Sequence, residues 1–297
     1  MNTYLEKAIH WIYCNRAYFS PLKGKNMPIR VKMFAELQLA LLIIDRNSLN
    51  TNAAKEFDTL CDFSEKILTS PVYYELILAF PDCFRLYGSS AIYYLSHRHN
   101  KILNDVINQV LPFIKYNESE MENYSKMDLE HLIMMAIKDN SHNLFDKLYK
   151  ESILNSSLDL AFFSRIEEYK LTHSIFYYTD FGKNKKIPLD VFHKLEHSLL
   201  TMGYRSYLKN DMDLLGEYIM CLCFLHSKND FLNTLFNKYI SKQKRNGSFS
   251  GPQAPDLIKY SQGFRGLFNH HKKVILDDYH VTFVSVMAIT LYILNSK

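Results

Sequence analysis

Glycine and proline are scarce in this chain, at 9 and 8 of 297 residues. An all-β protein built on many tight turns needs both, so that class is disfavoured. Cysteine is equally thin. Cys14, Cys61, Cys83, Cys221 and Cys223 are scattered and form no Cys-x-x-Cys pair, which leaves neither a zinc ribbon nor a thioredoxin-type motif. An odd number of thiols behind an N-terminus, Met1 to Ile12, that is charged and lacks a hydrophobic leader is expected of a reduced, cytoplasmic protein. Charge of one sign is lacking too, since 35 basic residues against 31 acidic leave +4. Nucleic-acid binding usually shows as a concentrated basic face, so no nucleic-acid partner is expected. The richest local cluster, Lys183 to Lys186, reads as a solvated loop. The longest uncharged apolar stretch, Val281 to Leu294, falls short of the roughly 20 residues that span a bilayer. It reads as a buried helix, and no membrane partner is expected.

What the chain has in plenty is apolar and aromatic matter: 47% hydrophobic residues, with 21 Tyr and 20 Phe, enough for a large core. Two kinds of helix alternate along it. One kind is amphipathic, as in the stripe Ile102, Leu103, Val106, Ile107, Val110, Leu111 and Ile114, or in Phe231, Leu232, Leu235, Phe236, Tyr239 and Ile240. Shorter examples are Leu144 to Tyr149 and Leu189 to Leu199. The other kind is apolar almost all round: Leu132 to Ile137, Leu171 to Phe181, Leu214 to Leu225 and Val281 to Leu294. Helices of the second kind must be enclosed by protein, those of the first by protein on one face. From residue 85 onward the order runs approximately inner, outer, inner, outer. That order predicts an all-α protein, an α/α toroid in which a ring of inner helices is wrapped by outer ones. An α-solenoid is the alternative, disfavoured because no fixed repeat period is present. Residues 1–297 read as one domain, with the polar gap Asn117 to Lys126 setting off an N-terminal portion, 1–116.

Polar groups on otherwise dry helices carry the functional signal, because burying them costs free energy unless something pairs with them. His173, Tyr177 and Asp180 are spaced four and three apart and share a helical face. Asp180 falls near a helix C-terminus, where the macrodipole disfavours it and a basic or N–H partner is required. Asp213 and Glu217 are four apart; paired carboxylates in a half-buried setting suit acid–base work or a divalent cation. Asp211 or Asp213 is expected to cap that helix. Asp277 or Asp278 is expected to cap the last inner helix, placing His280 in its first turn as a neutral imidazole, fit for a metal or a proton. His270 and His271 read as surface residues of a polar turn. In a double ring the inner helices run parallel, which would gather His173, Asp213, Glu217 and His280 at one mouth. The plain alternative for each is a satisfied core polar group or a cap. Cys221 and Cys223 read as core.

Gln243-Lys244-Arg245-Asn246-Gly247-Ser248-Phe249 resembles the Gln-x-x-x-Gly-x-aromatic turn of terpene cyclases and protein prenyltransferase β subunits, which are α/α toroids. Asp278 to Thr282 resembles the segment whose histidine binds zinc in the latter, with His280 at the matching position. The Asp-x-Cys segment that completes that zinc site is absent here. So is the Asp-x-Asp-Asp acid of squalene-type cyclases, matched only in part by Asp211-Met212-Asp213. A closer similarity is to a bacterial family of uncharacterised toroid-like proteins. It is carried by Leu171 to Gly182, by Asp213 to Glu217, by Gln243 to Pro252 and by Tyr279 to Thr282. That resemblance implies a fold family and a place in secondary metabolism, but no known reaction.

The expectation is therefore a cytoplasmic enzyme of specialised metabolism acting on an apolar or peptide-like substrate in a central cavity. His173, Asp213, Glu217 and His280 are its candidate catalytic groups. Tyr177, Asp180, Tyr279 and Gln243 are its candidate substrate contacts. His173, Glu217 and His280 are candidate ligands to a divalent metal such as zinc. The alternatives are a non-catalytic module that binds a peptide, protein or ligand, and a helical repeat scaffold.

Overall fold

The computed structural model describes residues 2–22, 27–114, 123–138, 147, 150–155, 163–183, 189–251 and 270–296. Among them the regular elements are helices: α1 (Asn2–Asn15), α2 (Met27–Ile43), α3 (Thr51–Leu68), α4 (Pro71–Ala79), α5 (Phe84–Leu95) and α6 (Lys101–Ile114). They continue as α7 (Asn123–Ile137), α8 (Arg165–Tyr178), α9 (Leu189–Leu208), α10 (Met212–Phe224), α11 (Asp230–Ile240) and α12 (His270–Asn295), with short 3-10 turns between some of them. The all-α expectation holds. The expected amphipathic segment Leu144 to Tyr149, most of the Lys183–Lys186 cluster and most of the polar gap Asn117 to Lys126 lie outside the described residues.

The chain divides into two compact units. The first comprises Met1–Ala17, Ile43–Phe57 and Glu196–Lys297. Its centre is α10 packed along α12, with α1 against α12 and α11 against α10. Every residue of α10 is buried, as is each of residues 281–290 on α12. Helices so dry on all sides must lie inside, and α10 and α12 do. α11 shows the other pattern, burying Leu232, Leu235, Phe236, Tyr239 and Ile240 while Phe231 is 38% exposed. Gly216 is what lets α10 come so near its neighbours. A Cβ there would lie 2.5 Å from the Tyr239 hydroxyl and 2.7 Å from Val284.

The second unit comprises Tyr18–Leu42 and Asp58–Leu195. Here α4 packs on α6, α5 on both α6 and α7, and α7 on α8. α6 buries Leu103, Val106, Ile107, Val110 and Ile114 as its stripe requires, leaving Ile102 outside. α7 is less enclosed than its apolar run implies, with Ile137 half exposed. Ser70 caps α4, with Pro71 at the first helical position.

Three helix starts differ from the sequence reading or sharpen it. α8 begins at Arg165, set by a capping box in which Ser164 and Glu167 satisfy each other's backbone N–H groups, so His173 is mid-helix. α12 begins at His270, because nothing between His270 and Asp277 breaks a helix. His270 and His271 are thus helical rather than in a turn, Asp277 and Asp278 do not cap, and His280 sits in the third turn. Its environment owes nothing to a helix N-terminus. Only Asp213 lies in a first turn, behind Asp211, whose side chain accepts from the Leu214 N–H at 3.2 Å as the cap. A 22-residue part of α12, Val274–Asn295, is long and apolar enough to cross a bilayer by length and composition, with a mean hydropathy of 1.5. It is longer than the sequence stretch indicated. Since 72% of its most apolar window is buried in protein, it is the expected core helix.

Candidate functional site

In the first unit the two buried carboxylates of α10 meet the imidazole of α12. Asp213 and Glu217 are 4% and 2% exposed. One ligand-capable atom from each of Asp213, Glu217 and His280 falls within 4.8 Å of the others. His280 Nε2 lies 3.2 Å from Asp213 Oδ1, and the ring keeps a third of its side-chain surface in solvent, so the group has a wet side and a dry side. Spacing explains the carboxylates, since residues four apart stack on one helix face. The imidazole arrives through the long α10–α12 contact.

The turn after α11 forms a wall of this group. Gln243 donates from Nε2 to the Tyr4 carbonyl at 2.8 Å and to the Gly247 carbonyl at 3.0 Å. Gly247 has φ +93°, and a Cβ there would strike the Lys7 carbonyl at 2.2 Å, so both conformation and space require glycine. Asp278, 1% exposed, accepts from Lys244 Nζ at 2.8 and 2.9 Å, from the Ser248 hydroxyl at 2.7 Å and from the Ser250 hydroxyl at 2.5 Å. Phe249 donates its N–H to Thr282 Oγ1 at 3.0 Å. The strand of backbone so fastened brings Gly251 against the site, where a Cβ would lie 2.8 Å from Val281 and 3.7 Å from the Asp213 Cβ. Gln243 is therefore a fastening of this turn to α1. Tyr279 is buried, its ring stacked edge-on with His280 and Phe283 at 6.2 and 5.9 Å.

The same carboxylates reach other groups. Burial, and next Glu217, raise the Cys221 thiol well above its ordinary value. Burial pushes Tyr239 far up as well, with Asp213 and Glu217 adding to the effect against a hydrogen bond with Ser285. Cys223 is pushed up to about 12 by burial. Both cysteines are core, as expected, and all five are free.

The remaining expected residues belong to the second unit. His173 Nδ1 lies 3.0 Å from the Tyr169 carbonyl, and its ring packs on Phe176 and Tyr177 at 5.4 and 6.2 Å. Asp180 does find the basic partner its position demands: His131 Nε2, 2.8 Å from Oδ1. Tyr177 is buried, with its ring 5.6 Å from that of His131. Sequence reasoning passed over Arg85, Asp128 and His131. Asp128 and His131 are three apart on α7, and a histidine directly ahead of the apolar run Leu132 to Ile137 was the available signal.

No curated protein and no solved structure matches the chain. A family model does, over residues 5–290, which takes in the elements of both units. The chain belongs to that family, described as "Domain of unknown function (DUF6895)".

Proposed function

We propose that this chain is an enzyme of specialised metabolism whose acid–base or metal-assisted chemistry is carried by Asp213, Glu217 and His280. The supporting observation is that two buried carboxylates and a partly exposed imidazole present ligand atoms within 4.8 Å of one another. Two carboxylates and one imidazole make a mixed oxygen and nitrogen donor set that fits a divalent ion of the manganese, iron or zinc type. Such an ion, when bound, supplies a Lewis acid and a water of lowered pKa. The protein's own part is to hold Asp213 and Glu217 on one rigid helix turn and to offer His280 from the wetter side. It also keeps Gly251 close, so that no side chain fills the approach. His280, paired with Asp213, is placed to take or give a proton at Nε2.

The wider frame of this reading is an α/α toroid in the cytoplasm, with an apolar or peptide-like substrate. The occurrence of both nearly dry helices, α10 and α12, and one-faced helices, α6 and α11, supports that architecture. An alternative is a non-catalytic ligand-binding module, favoured by the missing Asp-x-Cys and Asp-x-Asp-Asp segments. It is recognised by saturable ligand binding without turnover.

The test is metal content and thermal stability of the purified chain after dialysis against Zn²⁺, Mn²⁺ or chelator. The expected result is about one equivalent of bound ion and a raised melting temperature, since an ion that binds only the folded state stabilises it by mass action. Both effects should be lost in Asp213→Asn, Glu217→Gln and His280→Ala. No retained ion and an unmoved melting temperature would overturn the metal reading.

A further inference from the structure

The charge pairs of the second unit close on one another. Arg85 Nε and Nη2 lie 2.7 and 2.6 Å from Asp128 Oδ2, Asp128 also interacts with the Tyr177 hydroxyl, and His131 meets Asp180. A line of contacts in the first unit ends differently, on a nucleophile. Glu56 of α3 places Oε1 2.6 Å from His10 Nδ1. His10 Nε2 in turn lies 3.5 Å from Cys14 Sγ. His10 and Cys14 are four apart on α1, so they share a face of that helix. The proposed metal chemistry uses none of the three.

Donor and acceptor roles follow from that order. A carboxylate only accepts, so the proton of the neutral imidazole sits on Nδ1, toward Glu56. Nε2 keeps its lone pair, and the Cys14 S–H donates to it. The ring is held from the side as well. It stacks on Tyr13 at 6.5 Å, and the Arg16 guanidinium lies 4.3 Å from the centre of that tyrosine ring. A carboxylate orienting an imidazole that faces a nucleophile is the arrangement by which a weak nucleophile is activated. Cys14 lies in the last turn of α1, where the helix dipole does not favour an anion. The thiol proton therefore has to leave to a base as the sulfur attacks, and His10 is the base in reach.

Exposure decides what the sulfur meets. Cys14 is exposed, and the His10 side chain keeps 60% of its surface in solvent, with Glu56 at 21%. An open thiol of this kind suits a small substrate that arrives from solution. Thiol–disulfide exchange asks only for access to one sulfur, a deprotonated attacker and a leaving sulfur. Acyl transfer would in addition require donors aimed at an oxyanion. We propose that Cys14 is a site of reversible S-thiolation by a low-molecular-weight disulfide of the glutathione class, with His10 as its general base and Glu56 as the positioning residue behind His10. His10 Nε2 takes the Cys14 proton while Sγ attacks one sulfur of the disulfide. The new S–S bond forms as the old one breaks. The departing thiolate takes the proton from His10 and leaves as a free thiol. One thiol and one disulfide enter and one of each leaves, so no further oxidant is required. Excess free thiol drives the reverse reaction and restores Cys14. This site stands or falls independently of the metal reading.

The test is the rate at which the full chain gains one glutathione from oxidised glutathione at neutral pH, followed by intact mass and peptide mapping. The reference is the free peptide Ile12 to Arg16, which keeps the cysteine and lacks His10 and Glu56. The adduct should map to Cys14 and be absent in Cys14→Ser. It should form roughly tenfold to a hundredfold faster than on the peptide, the low end of a general-base contribution. His10→Gln should bring the rate down to that of the peptide, and Glu56→Gln should lose part of the advantage. With dithiobis(nitrobenzoate), whose leaving thiolate is stable without a proton, His10→Gln should lose much less. A purely structural role would lower both rates alike. Equal losses with the two disulfides, or an unchanged rate in His10→Gln, would overturn the proposal. So would a native chain that reacts no faster than the peptide, a comparison that needs no variant to fold.

Discussion

Asp278 shows how much a single side chain holds at this site. It is 1% exposed and accepts from one ammonium and two hydroxyls. Removing a buried acceptor strands its donors and forfeits the charge-assisted bonds. Asp278→Ala should cost about 2–4 kcal/mol in urea unfolding, allowing for the partial exposure of Lys244. Asp278→Asn should cost less, because it keeps an acceptor oxygen. The cysteines give a second test at this scale. Since burial pushes Cys223 up to about 12 and lifts Cys221 well above its ordinary value, both remain protonated thiols at pH 8. The thiolate is the nucleophile, and both side chains are also out of reach. Alkylation of the native chain at pH 8 should modify the exposed Cys14 first, with Cys221 and Cys223 labelled only after unfolding. Rapid native labelling of either would contradict the burial that brings α10 and α12 together.

Helices carry the next set of consequences. Gly216 is the point of closest approach in the first unit, and the Tyr239 hydroxyl that an added methyl would meet is itself bonded to Ser285 at 2.6 Å. It has little freedom to retreat. Gly216→Ala should therefore destabilise by about 1–3 kcal/mol through overpacking, although alanine is the better helix former. An increase in stability would show that the contact relaxes. At α8, Ser164→Ala should lose about 1 kcal/mol with its capping box. The box is written in the sequence as Ser164 followed by Glu167, two turns ahead of where apolar periodicity begins at Leu171. The first turns of α12 likewise precede its apolar run. Asp277-Asp278 has the composition of a cap, but caps form where a helix begins, and the residues before it continue one. Periodicity thus located helices well and their ends poorly.

Across the whole chain the expected site residues sort into two groups. Asp213, Glu217 and His280 converge in the first unit with Tyr279 beside them, and Gln243 fastens the turn that walls them. His173, Tyr177 and Asp180 belong to the second unit, with Arg85, Asp128 and His131. Hydrogen exchange separates the two groups. A bound divalent ion should slow exchange in α10 and in α12 near His280 and leave α5, α7 and α8 unchanged. Bound ligand adds its free energy to the opening that each segment requires. Protection by the ion in α5, α7 or α8 instead would contradict the assignment of that site.

The sequence by itself determined the helical class, the dry character of α10 and α12, the one-sided stripes of α6 and α11, and the pairing of Asp213 with Glu217. Each follows from spacing along one helix, where 3.6 residues per turn fix which side chains are neighbours. Only the tertiary structure decided that His280 joins those carboxylates, that His131 answers Asp180, and that Arg85 and Asp128 stand beside Tyr177. Those meetings lie between helices. They depend on how far one backbone can approach another, a distance set by residues such as Gly216 and Gly251 that carry no chemistry of their own.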